Sequence, residues 1–299
     1  MRFSLWPMGS QNWDELLTTC QHAEAVGWDG VWYADHFMPN QPDTSPPVAE
    51  VWPTVTAIAA QVRRVRVGTL VCGNTYRQPP LVAKMAAQVD IISNGRFVLG
   101  MGAGWQENEH RAYGIPFYTA GERLGRLEES CQIIRGLLHN ERTSFKGRYY
   151  EVEDAPLSPK PWQRPLPLLI GGGGEKRTLR IAALYADEWN TWGTPETIKH
   201  KISILDEHCV RQGRDPKEIK RSAQAIFFLD GDPARIEAAR NARRFPVIAG
   251  SAEELRGIVA EYGDAGLDEL VVPTLGLGRG DELKRTIGRF MSEVATAFR

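Results

Sequence analysis

Three short stretches hold the residue types that do chemistry. Asp35-His36 sets a carboxylate beside an imidazole, the side chain that titrates nearest neutral pH, so the pair can move a proton or fix a tautomer. Gly171-Gly172-Gly173-Gly174 follows the apolar run Leu168-Leu169-Ile170 and precedes helical spacing from Arg177 to Leu184. Bare glycines let backbone N–H groups approach a ligand, and a helix N-terminus attracts negative charge, so this turn suits a phosphate group. The third stretch runs from Gly102 and Ala103 through Gly104 and Trp105 to Asn108, Glu109 and His110, small residues that clear space followed by polar groups. Each also has a plain structural reading: an Asp cap beside a satisfied His, a tight turn, and a solvated loop. Their position in the fold decides between the two.

The elements that must position them alternate along the chain. Apolar periodicity predicts strands over 2–6, 29–33, 65–71, 97–101, 168–170, 188–191, 222–229 and 269–272. Helical spacing falls between them, over 12–26, 50–62, 81–92, 123–138, 177–186 and 195–212, and again from the capping box Ser251 to Glu254 and over 281–298. A small extra helix runs from Asp232-Pro233 to about Ala242, and 102–117 reads as a long loop. An excursion at about 140–166 combines a hairpin around Lys146-Gly147 with a proline-rich segment. Eight strand–helix units point to an α/β fold of the (β/α)8 TIM-barrel type, one domain over 1–299 with loop insertions. A doubly wound open sheet is the competing architecture.

In such a barrel the active site lies on the loops after the strands, and the candidate residues fall there. Asp35 and His36 follow the second strand. Cys72, Gly73, Asn74 and Thr75 follow the third, where a flat heterocycle can lie against backbone with an amide or hydroxyl at its edge. Thr191 and Trp192 end the sixth, beside the glycine turn, and Arg279 after the eighth is a candidate for an anionic tail. Trp32, Trp105 and Trp192 are candidate pocket walls. No HxH or HExxH pattern is present, so no metal site is expected.

Composition narrows the partners. Formal charge is -1 with no long run of one sign, which argues against nucleic acid or an anionic membrane and leaves a small molecule. Cys20, Cys72, Cys131 and Cys209 are widely spaced, as expected of reduced thiols in a cytoplasmic protein. The N-terminal stretch is too short and too mixed for a signal sequence, and no apolar run approaches membrane-spanning length. No strand-end lysine stands out for Schiff-base chemistry, which argues against an aldolase.

Taken together, Ala25-Val26-Gly27-Trp28-Asp29-Gly30-Val31-Trp32 with Asp35-His36, then Gly102-Ala103-Gly104-Trp105 through Glu109-His110 to Pro116-Phe117, form an ordered series. It continues with Ile170 to Gly174, Tyr185-Ala186-Asp187 and Tyr262 to Leu270. In order and spacing this series resembles the luciferase-like monooxygenase superfamily, more narrowly its coenzyme F420-dependent oxidoreductases, over almost the full length. The resemblance implies a deazaflavin or flavin at the C-terminal mouth, its phosphate near Gly171–Gly174, and His36 near the reactive carbon of the ring. It also implies a non-prolyl cis peptide around Cys72-Gly73, a cofactor contact from Asn108, and a homodimer. Gln106 stands where many relatives have Asn, and no cluster of lysines marks a site for the polyglutamate tail of F420, so FMN is the alternative cofactor.

The expected activity is hydride transfer between F420 and a small organic substrate, with His36 and Glu109 handling protons and Asp35 beside them. An FMN-dependent monooxygenase is the alternative enzyme, and a non-catalytic flavin- or deazaflavin-binding protein the alternative outside catalysis.

Overall fold

A computed structural model describes residues 1–8, 12–241 and 246–299. Its frame is a closed ring of parallel strands: Arg2–Trp6, Gly30–Tyr33, Arg66–Thr69, Phe97–Gly102, Leu168–Gly171, Glu188–Trp192, Lys220–Gln224 and Glu269–Pro273. Neighbours in the ring are neighbours in sequence. The first strand pairs with the eighth from Arg2↔Glu269 to Trp6↔Pro273, and the third pairs with the fourth, so no edge remains open. This is the barrel expected from the sequence. Helices follow the strands and cover the outside, several of them capped: Asn12, Thr119, Thr194 and Ser251 each accept a backbone N–H of the first turn, and Thr119 starts its helix at Ala120, three residues before the expected 123.

Strand alternation divides the apolar residues between two layers. In the second strand Val31 and Tyr33 join the large core beneath the helices, whereas Trp32 turns into the barrel to meet Leu70, Val98, Leu169 and Val271. Trp32 is therefore an interior plug, not the pocket wall expected of it. Gly68 makes room for its ring, since a Cβ there would lie 2.3 Å from the indole. Below the plug, at the strand N-termini, Glu269 accepts hydrogen bonds from Trp32 Nε1 and Arg66 Nη1, each at 2.8 Å, and pairs with Arg2 at 3.1 Å. Arg66 also bonds Glu188. The closed end is thus held by paired charges, and the open end is left for function.

Three expectations change. The segment 102–117 is not all loop: a short helix, Glu107–Ala112, crosses it. The predicted strand 222–229 is two strands, the barrel strand Lys220–Gln224 and a separate Ile226–Leu229 that pairs in parallel with Val247–Gly250, a strand the sequence reading lacked. Ala225, buried between them, is where the apolar run continues while the chain leaves the barrel, so periodicity alone cannot see the break. The final helix is α over Gly280–Arg289 and then loosens into a π turn and a 3-10 turn. The hairpin at 140–166 is present as antiparallel Arg142–Lys146 and Glu151–Pro156. The small helix spans Pro233–Asn241; its expected end at Ala242 lies outside the described residues.

Candidate active site

The C-terminal mouth of the barrel opens into a cavity of about 1030 Å³, at the upper end of the range for small-molecule sites. Asp35, His36, Cys72, Gly73, Gly104, Gly171, Gly172, Thr191 and Trp192 line it, bringing together strand ends scattered through the sequence.

His36 is the best-organised of these. Its Nδ1 lies 2.9 Å from Oε1 of Glu109, a residue 73 positions away that the short helix Glu107–Ala112 delivers to the back of the imidazole. Glu109 is fully buried and accepts two further hydrogen bonds, from the Phe37 N–H at 2.8 Å and from the Tyr76 hydroxyl. A carboxylate accepts only, so Nδ1 carries the hydrogen and the neutral imidazole keeps its lone pair on Nε2. Glu109 does not itself line the cavity and acts through His36. The short helix is anchored in turn: Gln106 Nε2 donates to Met38 O at 2.8 Å and Asn108 Nδ2 to Pro39 O at 3.0 Å. His110 bonds Gln106 O and Thr75 Oγ1, each at 2.7 Å.

Burial by itself would raise the Glu109 carboxyl, but hydrogen bonds from His36, Phe37 N–H and Tyr76 outweigh it and hold it below the usual carboxylate range. A carboxyl depressed in the folded state contributes stability that is complete above its unfolded value, about 4.3, and lost as pH falls through the lower folded value. Thermal melts taken from neutral pH downward should therefore show Tm dropping below about pH 4.3, with a smaller acid drop in Glu109→Gln. Identical acid profiles for the two proteins would remove Glu109 from this role.

Asp35 has a different job from a proton donor. Arg77 grips both its oxygens, at 2.6 and 3.1 Å, and the Gly73 N–H donates to it at 3.1 Å. Arg77 also reaches Glu50. With its lone pairs so occupied, Asp35 fixes the loop after the third strand against the second. Cys72 is buried, and burial pushes its thiol well up, so it lines the cavity as a small apolar group. The cis peptide lies between Leu70 and Val71, just before the expected Cys72-Gly73 position. Val71 occupies space left by glycines of the next strands: a Cβ on Gly102 would come within 2.6 Å of it, and one on Gly171 within 2.8 Å.

Other expected contacts are not at the cavity. Asn74 is buried and donates to the Tyr150 hydroxyl at 3.4 Å, Thr75 holds His110, and Asn108 holds the chain at Pro39. Polar type at a strand end was a fair signal for these residues, but each side chain satisfies a protein group instead. Trp105, 58 % exposed at the rim, meets the His36 ring edge-on at 5.5 Å, and Trp192 packs against Trp6 at 5.8 Å.

The glycine turn splits its work. The Gly172 N–H bonds Asn190 O at 2.9 Å, and its φ of 126° requires glycine. Gly173 leaves space for the Thr191 hydroxyl and Gly174 for that of Thr178. From Gly173 to Lys176 no backbone N–H makes a hydrogen bond among the described residues, just before the helix Thr178–Tyr185 begins. Gly173 and Gly174 open not onto the main cavity but onto an adjoining hollow of about 490 Å³ that shares Thr178 with it. Lys176, Arg177 and Lys201 line this hollow. Glu175 lines the same hollow and pairs with Lys201, so the free N–H groups with Lys176 and Arg177 are what fit an anionic group there. Sequence reasoning missed the cluster because Lys201 comes from the helix Pro195–Arg211, with no local motif to mark it.

A family model described as luciferase-like monooxygenase matches residues 1–282. An F420-dependent glucose-6-phosphate dehydrogenase of Kineococcus radiotolerans is 29% identical over 95% of this chain and 93% of its own length. One of that name from Amycolatopsis mediterranei is 38% identical over 54% of this chain and 48% of its own length, so this alignment spans about half of that relative. Among solved structures, an F420-dependent secondary alcohol dehydrogenase in complex with an F420-acetone adduct superposes with a TM-score of 0.88 at 22% identity, over 100% of this chain and 99% of that one, a likeness of fold. With its closed barrel, its His36 site and a family match over nearly its whole length, this chain belongs to the luciferase-like monooxygenase family.

Proposed function

We propose that this protein is an F420-dependent oxidoreductase that moves hydride between the deazaflavin and a small organic alcohol or its carbonyl partner. The observation that carries the reading is the His36–Glu109 pair at the cavity wall, supported by relatives named as F420-dependent dehydrogenases. The bound deazaflavin supplies a ring carbon that accepts or returns a hydride. The chain does the rest. With Nδ1 tied to Glu109, His36 Nε2 takes the proton that the substrate hydroxyl gives up as its C–H hydride leaves, and Glu109 stabilises the resulting imidazolium. In the reverse direction the same nitrogen returns the proton to the carbonyl oxygen.

Gly104, Cys72 and Gly73 would flank the ring, Gly171 and Gly172 with Thr191 would lie on its phosphate side, and Trp192 would wall it. The N–H run at 173–176 with Lys176 and Arg177 would take the anionic part of the cofactor. This reading takes the chain as one barrel domain over 1–299 and as a cytoplasmic homodimer, on the strength of its four buried free thiols and the family resemblance.

Titration of the purified protein with F420 and with FMN side by side tests the cofactor. F420 is expected to bind and to be reduced on adding an alcohol substrate. Tight FMN binding without F420 binding would favour the monooxygenase reading instead. F420 bound but never turned over by any alcohol or carbonyl would favour a carrier.

A further inference from the structure

The strand ends divide the cavity between two guests. A cofactor held as above takes the ends of the third to the sixth strands, where Cys72, Gly73, Gly104, Gly171 and Thr191 stand. The ends of the seventh, eighth, first and second strands, neighbours in the ring, are left for the substrate, and His36 belongs to the last of them.

Gln224 ends the seventh strand and lines this part of the cavity, in register with Trp192 on one side and Val271 on the other. It is only 5 % exposed, and its side-chain oxygen is buried with no hydrogen-bond partner among the described residues. Other buried polar side chains of the cavity meet protein groups: Asp35 meets Arg77, Gln106 meets Met38 O, and Asn190 Nδ2 donates to Ser222 Oγ at 2.8 Å. A buried acceptor left unmade costs the full desolvation of the group, so Gln224 needs a partner that the chain does not supply. The last torsion of glutamine is soft, which lets the amide turn its oxygen toward the cavity it lines. That partner must bring a hydrogen. A hydroxyl does so, whereas a carboxylate, an ether or a ketone cannot.

The remainder of this part is largely apolar, and its buried charges are already matched. Trp6, Met38, Val48 and Pro273 line it, with Trp6 packed on Trp192 at 5.8 Å. Asp35 is paired with Arg77 and His36 with Glu109, while Arg279 stands exposed at the rim, where water solvates it. A charged substrate would face no free buried counter-charge here.

Building on the function proposed above, we infer that the substrate is an uncharged, largely apolar alcohol with a second hydroxyl, the first presented to His36 Nε2 and the second donating to Gln224 Oε1. Such a molecule satisfies the buried amide and otherwise lays carbon against carbon.

Calorimetric binding to the full chain, with and without F420, tests this with probes of graded reach. These are straight α,ω-diols of about four to eight carbons, the alcohols with methyl in place of the second hydroxyl, their ω-methoxy analogues, and glucose 6-phosphate. At one or more chain lengths the diol is expected to bind about tenfold tighter than both matched alcohols, with glucose 6-phosphate the weakest probe. Gln224→Met keeps the length of the side chain but not the amide. It should reverse the order in favour of the methyl-ended alcohol while F420 affinity stays within about twofold. Gln224→Glu keeps an acceptor and should keep the preference for diol over methoxy analogue. If Gln224→Met does not fold, the native series and Gln224→Glu still decide. No diol preference at any length, a methoxy analogue bound as tightly as its diol, a preference that survives Gln224→Met or is lost in Gln224→Glu, or tightest binding of glucose 6-phosphate would each overturn the inference. Loss of F420 affinity in Gln224→Met would assign the amide to the cofactor and also overturn it, while leaving the oxidoreductase reading intact. Failure of the native chain to bind F420 at all would strike that reading alone, because the probe series on the unloaded protein still decides the preference for a second hydroxyl.

Discussion

Replacing His36 with alanine is expected to lower kcat for alcohol-dependent F420 reduction by about 10²- to 10⁴-fold, the usual contribution of a positioned general base. Affinity for F420 should change little, because the ring's phosphate side and the cationic hollow are built from the fifth and sixth strand ends, away from the second. Glu109→Gln is the informative companion. A neutral amide can accept at Nδ1 but stabilises the imidazolium poorly, so kcat should fall, by less than in His36→Ala. Rates followed by loss of the visible absorbance of oxidised F420, with cofactor affinity measured separately, distinguish a lost base from a lost binding site. Full turnover in His36→Ala would remove the residue from the reaction.

The other large effect is expected far from the chemistry. Glu269→Ala should destabilise the fold by about 3–5 kcal/mol, because it leaves the Arg66 guanidinium with only Glu188 and strips the buried Trp32 N–H of its acceptor. For a chain of this size that is a fall in Tm on the order of 10 °C. Glu269→Gln keeps an acceptor for Trp32 and fills the same volume, so it should lose less. A differential scan of the three proteins measures both, and a Tm within about 2 °C of native for Glu269→Ala would show that the cluster closes without it. The consequence for function is indirect. Trp32 plugs the barrel beneath the cavity, held from below by Glu269 and given room by Gly68, so loosening it moves the floor on which the strand-three bulge at Val71 rests.

Much of this was legible in sequence because it depends on local rules. The alternation of strand and helix, the capping box at Ser251 and the four-glycine turn are set by neighbours within a few residues. So is the placement of His36, Cys72, Gly104, Gly171 and Thr191 at strand ends, since the order of elements defines a barrel and a barrel defines its working end. Where the local signal was ambiguous the reading strayed. The run from Ser222 to Leu229 holds no glycine, proline or charge to interrupt it, and nothing local says that the chain leaves the barrel after Gln224. Asn74, Thr75 and Asn108 have the right chemistry in the right loops, yet their partners are Tyr150, His110 and the carbonyl of Pro39.

The sequence by itself determined the barrel, the end at which it works and the histidine at that end, because periodicity and strand order are properties of the chain. Only the tertiary structure decided which groups act together. Glu109 lies behind His36 because a six-residue helix packs against the loop after the second strand, and Arg77 occupies Asp35 from a loop 42 positions on. Lys201 joins Lys176 and Arg177 from another helix, and Trp32 faces the barrel floor rather than the pocket. Side-chain direction and long-range pairing fix these roles. Neither is encoded in residue type or spacing, since each depends on how elements far apart in the chain pack against one another.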